Sequence, residues 1–266
     1  MWSFPRSYYI NLDSASHRRA NIEALFKRLD VRCERKSAVI GKDVDRSSLK
    51  MFKKNKLSAS EVGIFLSHYE LWIQLLHDDE CNYYAIFEDD IVTYADGNTL
   101  KKEVMDAIGE VESRNGDIIY LGKCGDICSK YERVTNKLYK TKHALCLHSY
   151  IIFKSAVRKI LQRAPFSKPI DVELVNLCGK NVLDAYVFHP SIFYQDVVNN
   201  KSTLRNKTQS FYNIEECVDH RLYNPSFIEG FDTVPLFAHK VKIPIWIFCI
   251  ALLVYVILLY IILYKK

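Results

Sequence analysis

Three adjacent carboxylates, Glu88-Asp89-Asp90, close a run of apolar and aromatic residues, Tyr83-Tyr84-Ala85-Ile86-Phe87. Like charges this close repel one another, and burying them unpaired is costly. The group calls for a positive partner, and oxygen-preferring cations such as Mn²⁺ or Mg²⁺ suit it. On a regular strand Glu88 and Asp90 point to one side. Asp89 points to the other, into a hydrogen bond that fixes the loop. A carboxylate pair of this kind suits a metal–diphosphate ligand, which is what nucleotide-sugar transfer requires. The bond broken there joins a sugar to a diphosphate, and a cation bridging acids and diphosphate oxygens stabilises the charge on the leaving group. An inverting displacement also needs a general base to deprotonate the acceptor hydroxyl.

The elements that must position these acids can be read from apolar periodicity. The continuous run before Glu88 predicts a strand buried on both faces, inside an α/β sheet. Its carboxyl end is where ligands bind in open sheets of this class. Tyr8 to Leu12 predicts a first buried strand, and Ser14 an N-cap for a helix from Ala15 to Leu29. Arg18 and Arg19 fall in that helix's first turns, where cations are disfavoured unless an anion such as a diphosphate sits there. A second strand is expected within 31–39. Ser58-Ala59-Ser60-Glu61 has capping-box form and opens an amphipathic helix to Leu76, with Ser67 and His68 midway along it. Further elements are a helix over 100–113, strands over 117–122, 149–153 and 185–188, and a helix that runs to Gln162 with Ser155 as its cap. Lys123 to Lys142 reads as a hairpin or acceptor-side loop, and Asp171 stands near a helix start. Strands alternating with helices give an α/β domain with a largely parallel sheet.

The chain has 266 residues and a formal charge of +6, an ordinary balance that gives only weak support for anionic partners. Eight cysteines are scattered, with no spacing typical of a zinc finger among Cys124, Cys128, His143, Cys146 and His148. Core or reduced thiols are the expectation. Met1 to Arg6 lacks the apolar stretch of a signal peptide. Residues 243–264 carry no charge, and at 1.5 Å per residue they reach about 30 Å, enough to cross a bilayer core as a helix. The expected layout is a catalytic domain over 1–204, a linker or stalk over 205–242, and a transmembrane helix over 243–264. The simplest topology is a tail anchor with the domain in the cytosol. Two N-glycosylation triplets, at 200–202 and 206–208, would need a lumenal location instead.

Several short motifs in order resemble a known family. They are Tyr9-Ile10-Asn11-Leu12-Asp13 with Arg18-Arg19, Leu57-Ser58 with Glu61-Val62-Gly63, and Leu66-Ser67-His68. Phe87-Glu88-Asp89-Asp90, Asp117 to Gly122, Ser149 to Ile152, Pro169-Ile170-Asp171 and Gln195 with Ser202 continue the series. Together they resemble glycosyltransferase family 25, which includes lipopolysaccharide and procollagen galactosyltransferases. The resemblance implies a GT-A-like fold with a mixed, mainly parallel sheet flanked by helices, an inverting reaction, a UDP-galactose donor and Mn²⁺. It implies Glu88 and Asp90 as metal ligands, with Asp89 beside them in the catalytic set. Asn11, Arg18, Arg19, Ser67, His68 and Gln195 would form or support the nucleotide-sugar pocket, and Asp171 would be the base. Ser60 stands where the family often has Gly, and a C-terminal anchor is unusual among bacterial members, which points to a viral or endomembrane setting. The expected partners are a nucleotide sugar, a hydroxyl acceptor of unspecified class and a membrane, with no nucleic acid.

Two rival readings follow from the same residues. A catalytically silent, membrane-tethered binding protein would keep the fold, but nothing would then retain clustered acids. A metal-dependent phosphohydrolase would carry an Asp nucleophile motif after the first strand, and Asp13 followed by Ser-Ala-Ser-His is a poor one.

Overall fold

The computed structural model describes residues 4–54, 56–196, 233–235 and 242–244. The chain divides into two compact units, Met1–Asp219 and His220–Lys266. The first contains β1 (Ser7–Asn11), α1 (Ser16–Arg28), β2 (Glu34–Ser37), α2 (Ala59–Leu76), β3 (Tyr83–Glu88), β4 (Ile91–Val92), α3 (Gly97–Ser113) and β5 (Ile118–Tyr120). It continues with β6 (Glu132–Arg133), β7 (Leu138–Thr141), β8 (Ser149–Phe153), α4 (Lys154–Leu161), α5 (Ile170–Gly179), β9 (Ala185–Phe188) and β10 (Tyr194–Gln195).

Eight strands form one mixed sheet in the order β2-β1-β3-β8-β5-β9-β7-β6. β1, β2 and β3 are parallel, as are β5 and β9, and the central β8 runs antiparallel to both its neighbours. The carboxyl ends of β1, β3, β5 and β9 therefore share one rim with the amino end of β8. The register sets Ile10 beside Glu88 and Phe87 opposite Ser149.

Both faces of this sheet are covered, which accounts for the uninterrupted apolar runs. Tyr84 and Ile86 pack with Phe65 and Trp72 of α2 and with residues of α4 and α5. Ala85 and Phe87 turn to the other face, against Ile22 and Phe26 of α1 and Val104 and Ile108 of α3. Continuing the alternation, Glu88 emerges on the α2 side.

The capping box at α2 is present in full: Ser58 accepts from the Glu61 amide, and the Glu61 side chain accepts from the Ser58 amide. Two expected caps are absent. α1 starts after Ala15 without a side-chain cap, and α4 starts after Phe153. Ser155 instead donates to Asp117 at 2.9 Å, because that buried carboxylate also holds Lys159 and the Asp184 amide. The stretch 123–142 holds the β6–β7 hairpin.

In the second unit Thr233–Pro235 pairs antiparallel with Lys242–Pro244. That second strand takes up Ile243 and Pro244, the first two positions of the expected membrane helix. The rest of that helix, both glycosylation triplets and Ser202 lie outside the described residues. Among the described residues no helix is long and apolar enough to cross a membrane.

The thiol expectation needs correction. Cys124 and Cys146 form a disulfide with their Cα atoms 5.6 Å apart, and Cys128 is also disulfide-bonded. The Cys124 amide donates to Leu145 and the Leu145 amide to Gly125, so the hairpin returns to its starting point and brings residues 22 apart into reach. Cys33, Cys81 and Cys178 are free thiols.

Candidate active site

The strand β3 ends at Glu88, and Asp89 and Asp90 form the turn before β4. The three acids diverge there. Asp89 accepts from Asn11 Nδ2 at 2.6 Å and from Arg18 Nη1 at 2.9 Å. Lying in the turn past the strand end, it ties β1 to α1. Asn11 also donates to the Ala15 carbonyl and accepts from Arg35 Nε at 3.0 Å, so it ties the end of β1 to the start of α1. Arg35 pairs in turn with Asp13.

Asp90 is buried by geometry other than strand alternation. It lies past the strand end, held by the Gln195 amide, which donates to its Oδ2 at 3.0 Å. β10 pairs with β4 and sets Gln195 beside Ile91, which delivers that amide. The other oxygen, Asp90 Oδ1, is buried and has no hydrogen-bond partner among the described residues. A buried acceptor left unpaired costs about 1–3 kcal/mol, more when charged. Burial, and then the charge of Glu88, push the Asp90 carboxyl up to about 7. Arg18 Nη1, 3.8 Å from Asp90 Oδ2, offsets only part of this.

Glu88 has the opposite character. Its side chain is 31% exposed, and His68 Nε2 lies 3.7 Å from its Oε1. Burial opposes its ionisation, but His68, His148 and Arg18 outweigh that and hold its carboxyl below the usual glutamate range. Trp72 Nε1, a donor only, donates to the Tyr150 hydroxyl at 3.0 Å. That hydroxyl also meets His68 Nδ1 at 2.8 Å. Trp72, Tyr150 and His68 thus form a buried hydrogen-bonded chain that fixes the imidazole with its Nε2 edge toward Glu88. A pair of neighbouring acids with carboxyl groups displaced in opposite directions is a marker of functional sites.

The remaining expected residues separate. Asp171 lies in the first turn of α5, half-buried, and burial followed by the charge of Glu88 raises its carboxyl above the usual range. It is within electrostatic reach of the acids. Ser67 serves the scaffold: it donates to the Gly63 carbonyl and accepts from the Val39 amide, both at 2.8 Å. That bond pins the loop after β2 against α2, where a Cβ on Gly63 would stand 2.6 Å from the Val39 oxygen. Arg19 is not brought to the acids. It is half exposed and pairs with Glu23 one turn along α1, because neighbouring helix positions point about 100° apart.

Residues that sequence reasoning passed over as parts of the site are Arg35, Trp72 and Tyr150. Each sits inside an ordinary strand or helix pattern, and only the packing reveals its partner. A cleft of about 560 Å³ lies at the amino ends of the strands, lined by Arg6, Tyr8, Asp30, Arg32, Glu34 and Lys101. It is remote from the acids, and its basic groups pair with Asp78, Glu80, Asp30 and Glu34.

The residues present fit a divalent cation: a half-exposed ionised carboxylate, a buried neighbour with an orphaned oxygen, and all-oxygen donors. Procollagen galactosyltransferase 1 of Danio rerio is 24% identical over 205 residues, covering 70% of this chain and 33% of that protein. Procollagen galactosyltransferase 2 of Homo sapiens is 24% identical over 202 residues, covering 69% and 32%. The chain thus spans about a third of the length of these relatives. Likeness to solved structures is loose. The crystal structure of A197 from STIV aligns at TM-score 0.39 and 14% identity, over 71% of this chain and 83% of that one, and carries no argument about activity. A sequence model described as glycosyltransferase family 25 (LPS biosynthesis protein) matches residues 4–174, most of the first unit. The chain belongs to glycosyltransferase family 25.

Proposed function

We propose that this chain is an inverting glycosyltransferase that moves a hexose, galactose by preference, from a UDP-sugar to a hydroxyl acceptor with the help of Mn²⁺ or Mg²⁺. The observation that carries this reading is the Asp90 carboxylate, buried beside Glu88 with one oxygen unpartnered among the described residues. Family membership supplies the substrate class, and the names of the relatives supply galactose.

In this reading Glu88 and Asp90 hold the cation, which neutralises charge on the departing diphosphate when bound. The raised Asp90 carboxyl means that the free protein keeps a proton there near neutral pH and gives it up on loading. His68 Nε2 stands 3.7 Å from the Glu88 carboxylate and favours its ionised form, and Asp89 ties Asn11 at the end of β1 to Arg18 in α1. Asp171 takes the acceptor's proton, since a carboxyl raised above its ordinary range is a better base. The reading also places the chain on a membrane through residues 243–264, on the strength of their composition alone.

The test offers UDP-sugars to the full chain with Mn²⁺ and with chelator. Metal-dependent release of UDP, strongest with UDP-galactose and absent in Asp90→Asn, supports the proposal. A folded chain that turns over no UDP-sugar under either condition overturns it.

A further inference from the structure

The Cys124–Cys146 disulfide does not stand alone. The buried His148 ring lies beside it, with Nδ1 3.9 Å from Cys124 Sγ. The two sulfurs and a ring nitrogen of His148 all lie within 4.8 Å of one another. We infer that, once the disulfide is reduced, Cys124, Cys146 and His148 form a binding site for a thiophilic divalent cation of the zinc class.

The orientation of His148 carries the argument. Its Nε2 faces the Phe193 carbonyl at 3.5 Å, and a carbonyl only accepts, so Nε2 holds the ring proton. Nδ1 is then a bare lone pair, and it is aimed at the sulfurs. A disulfide sulfur has no proton to give, so this fully buried nitrogen receives no hydrogen bond among the described residues. The arrangement is costly as it stands, but it is the one a metal site uses. A ligating histidine offers one nitrogen to the ion and donates the other N–H to a backbone carbonyl, which fixes the ring. Gly122 makes room for this: a Cβ there would stand 2.3 Å from His148 Nε2 and 2.2 Å from the Phe193 oxygen.

The donor set selects the metal. Two thiolates and an imidazole suit zinc, with Zn–S near 2.3 Å and Zn–N near 2.0 Å, and do not suit Mg²⁺ or Mn²⁺. Sulfurs bound to one tetrahedral ion stand about 3.8 Å apart, so reduction need separate the two side chains only modestly. Gln195 Oε1, 3.6 Å from Cys124 Sγ, is the nearest oxygen for a fourth position. The same glutamine holds Asp90, so the sulfur site and the carboxylates share a wall. Ligand softness sorts the metals: oxygen-seeking ions to Glu88 and Asp90, zinc-class ions to the sulfurs.

The chemistry balances without an unnamed reagent. A trialkylphosphine, water and the disulfide give two thiols and the phosphine oxide, and a thiol reductant would serve in its place. The cation then displaces the two thiol protons.

The test titrates Co²⁺, a spectroscopic stand-in for zinc, into the full chain in excess Mg²⁺, before and after phosphine treatment. The phosphine-treated chain should take up one Co²⁺ with thiolate-to-cobalt charge-transfer absorption, and zinc should displace it. The untreated chain should show no such absorption. The double variant Cys124→Ser/Cys146→Ser, which keeps Cys128, should show none after reduction. His148→Asn should bind at least tenfold more weakly. Absence of the band in the reduced wild type overturns the inference, as does its persistence in the double serine variant. The comparison of oxidised and reduced wild type needs no variant to fold, and none of these readouts depends on transferase activity.

Discussion

Replacing Asp90 by Asn should stabilise the metal-free protein at alkaline pH while abolishing its function. The unfolded side chain loses its proton near 3.8, and the folded one keeps it up to about 7. Folding therefore takes up a proton between those values, and the metal-free fold loses stability as pH rises through the window. The gap is roughly three pH units, and one unit is about 1.4 kcal/mol, so the ionised Asp90 costs the fold about 4 kcal/mol at pH 8. An amide of the same shape carries no charge and still meets Gln195. Allowing for imperfect fit, Asp90→Asn should gain about 3 kcal/mol at pH 8, or roughly 5–10 °C in Tm for a domain of this size. At pH 5 the wild-type carboxyl is protonated again and most of the gain should vanish. Thermal melts of both proteins in chelator, from pH 5 to 8, measure this. A variant no more stable than wild type at pH 8, or a gain that does not shrink with acid, would refute the claim that Asp90 is held buried and strained by charge.

Other perturbations test the surroundings. Tyr150→Phe removes the hydroxyl that joins Trp72 to His68 and leaves two buried ring nitrogens unpaired, so it should cost about 2–4 kcal/mol by denaturant unfolding. Gly63→Ala drives a methyl against the Val39 carbonyl and the Gly41 amide, and should destabilise by about 1–3 kcal/mol or block folding. Arg18→Ala should weaken UDP binding tenfold or more by calorimetry, whereas Arg19→Ala should leave it unchanged, since only Arg18 reaches the acids. Equal effects from the two arginines would return Arg19 to the site.

Much of this was legible because it is local. The apolar run into Glu88 marks a two-faced strand, and Ser58 with Glu61 marks a helix start whose bonds are all within four residues. β8 and β9 match their sequence-predicted spans for the same reason. What was not legible depends on distant partners. Ser155 has the form of a cap, but the buried Asp117 claims its hydroxyl. Tyr150 looks like a strand residue, and its role depends on α2; His148 precedes that strand, and its role depends on the loop that carries Phe193. The disulfide joins positions that only the returning hairpin makes adjacent. Arg19 looked equivalent to Arg18 in the sequence, and the helical step of one residue turned it away.

The central claim is that Glu88 and Asp90 together hold the cation that binds the diphosphate. Calorimetric titration of UDP into the full chain, with Mn²⁺ and then with chelator, addresses it most directly, with Asp90→Asn and Glu88→Gln as partners. The account predicts tight binding only with Mn²⁺ in the wild type, and a loss of at least tenfold in either variant. Binding of UDP that is equally tight in chelator, or unchanged in both variants, would contradict it.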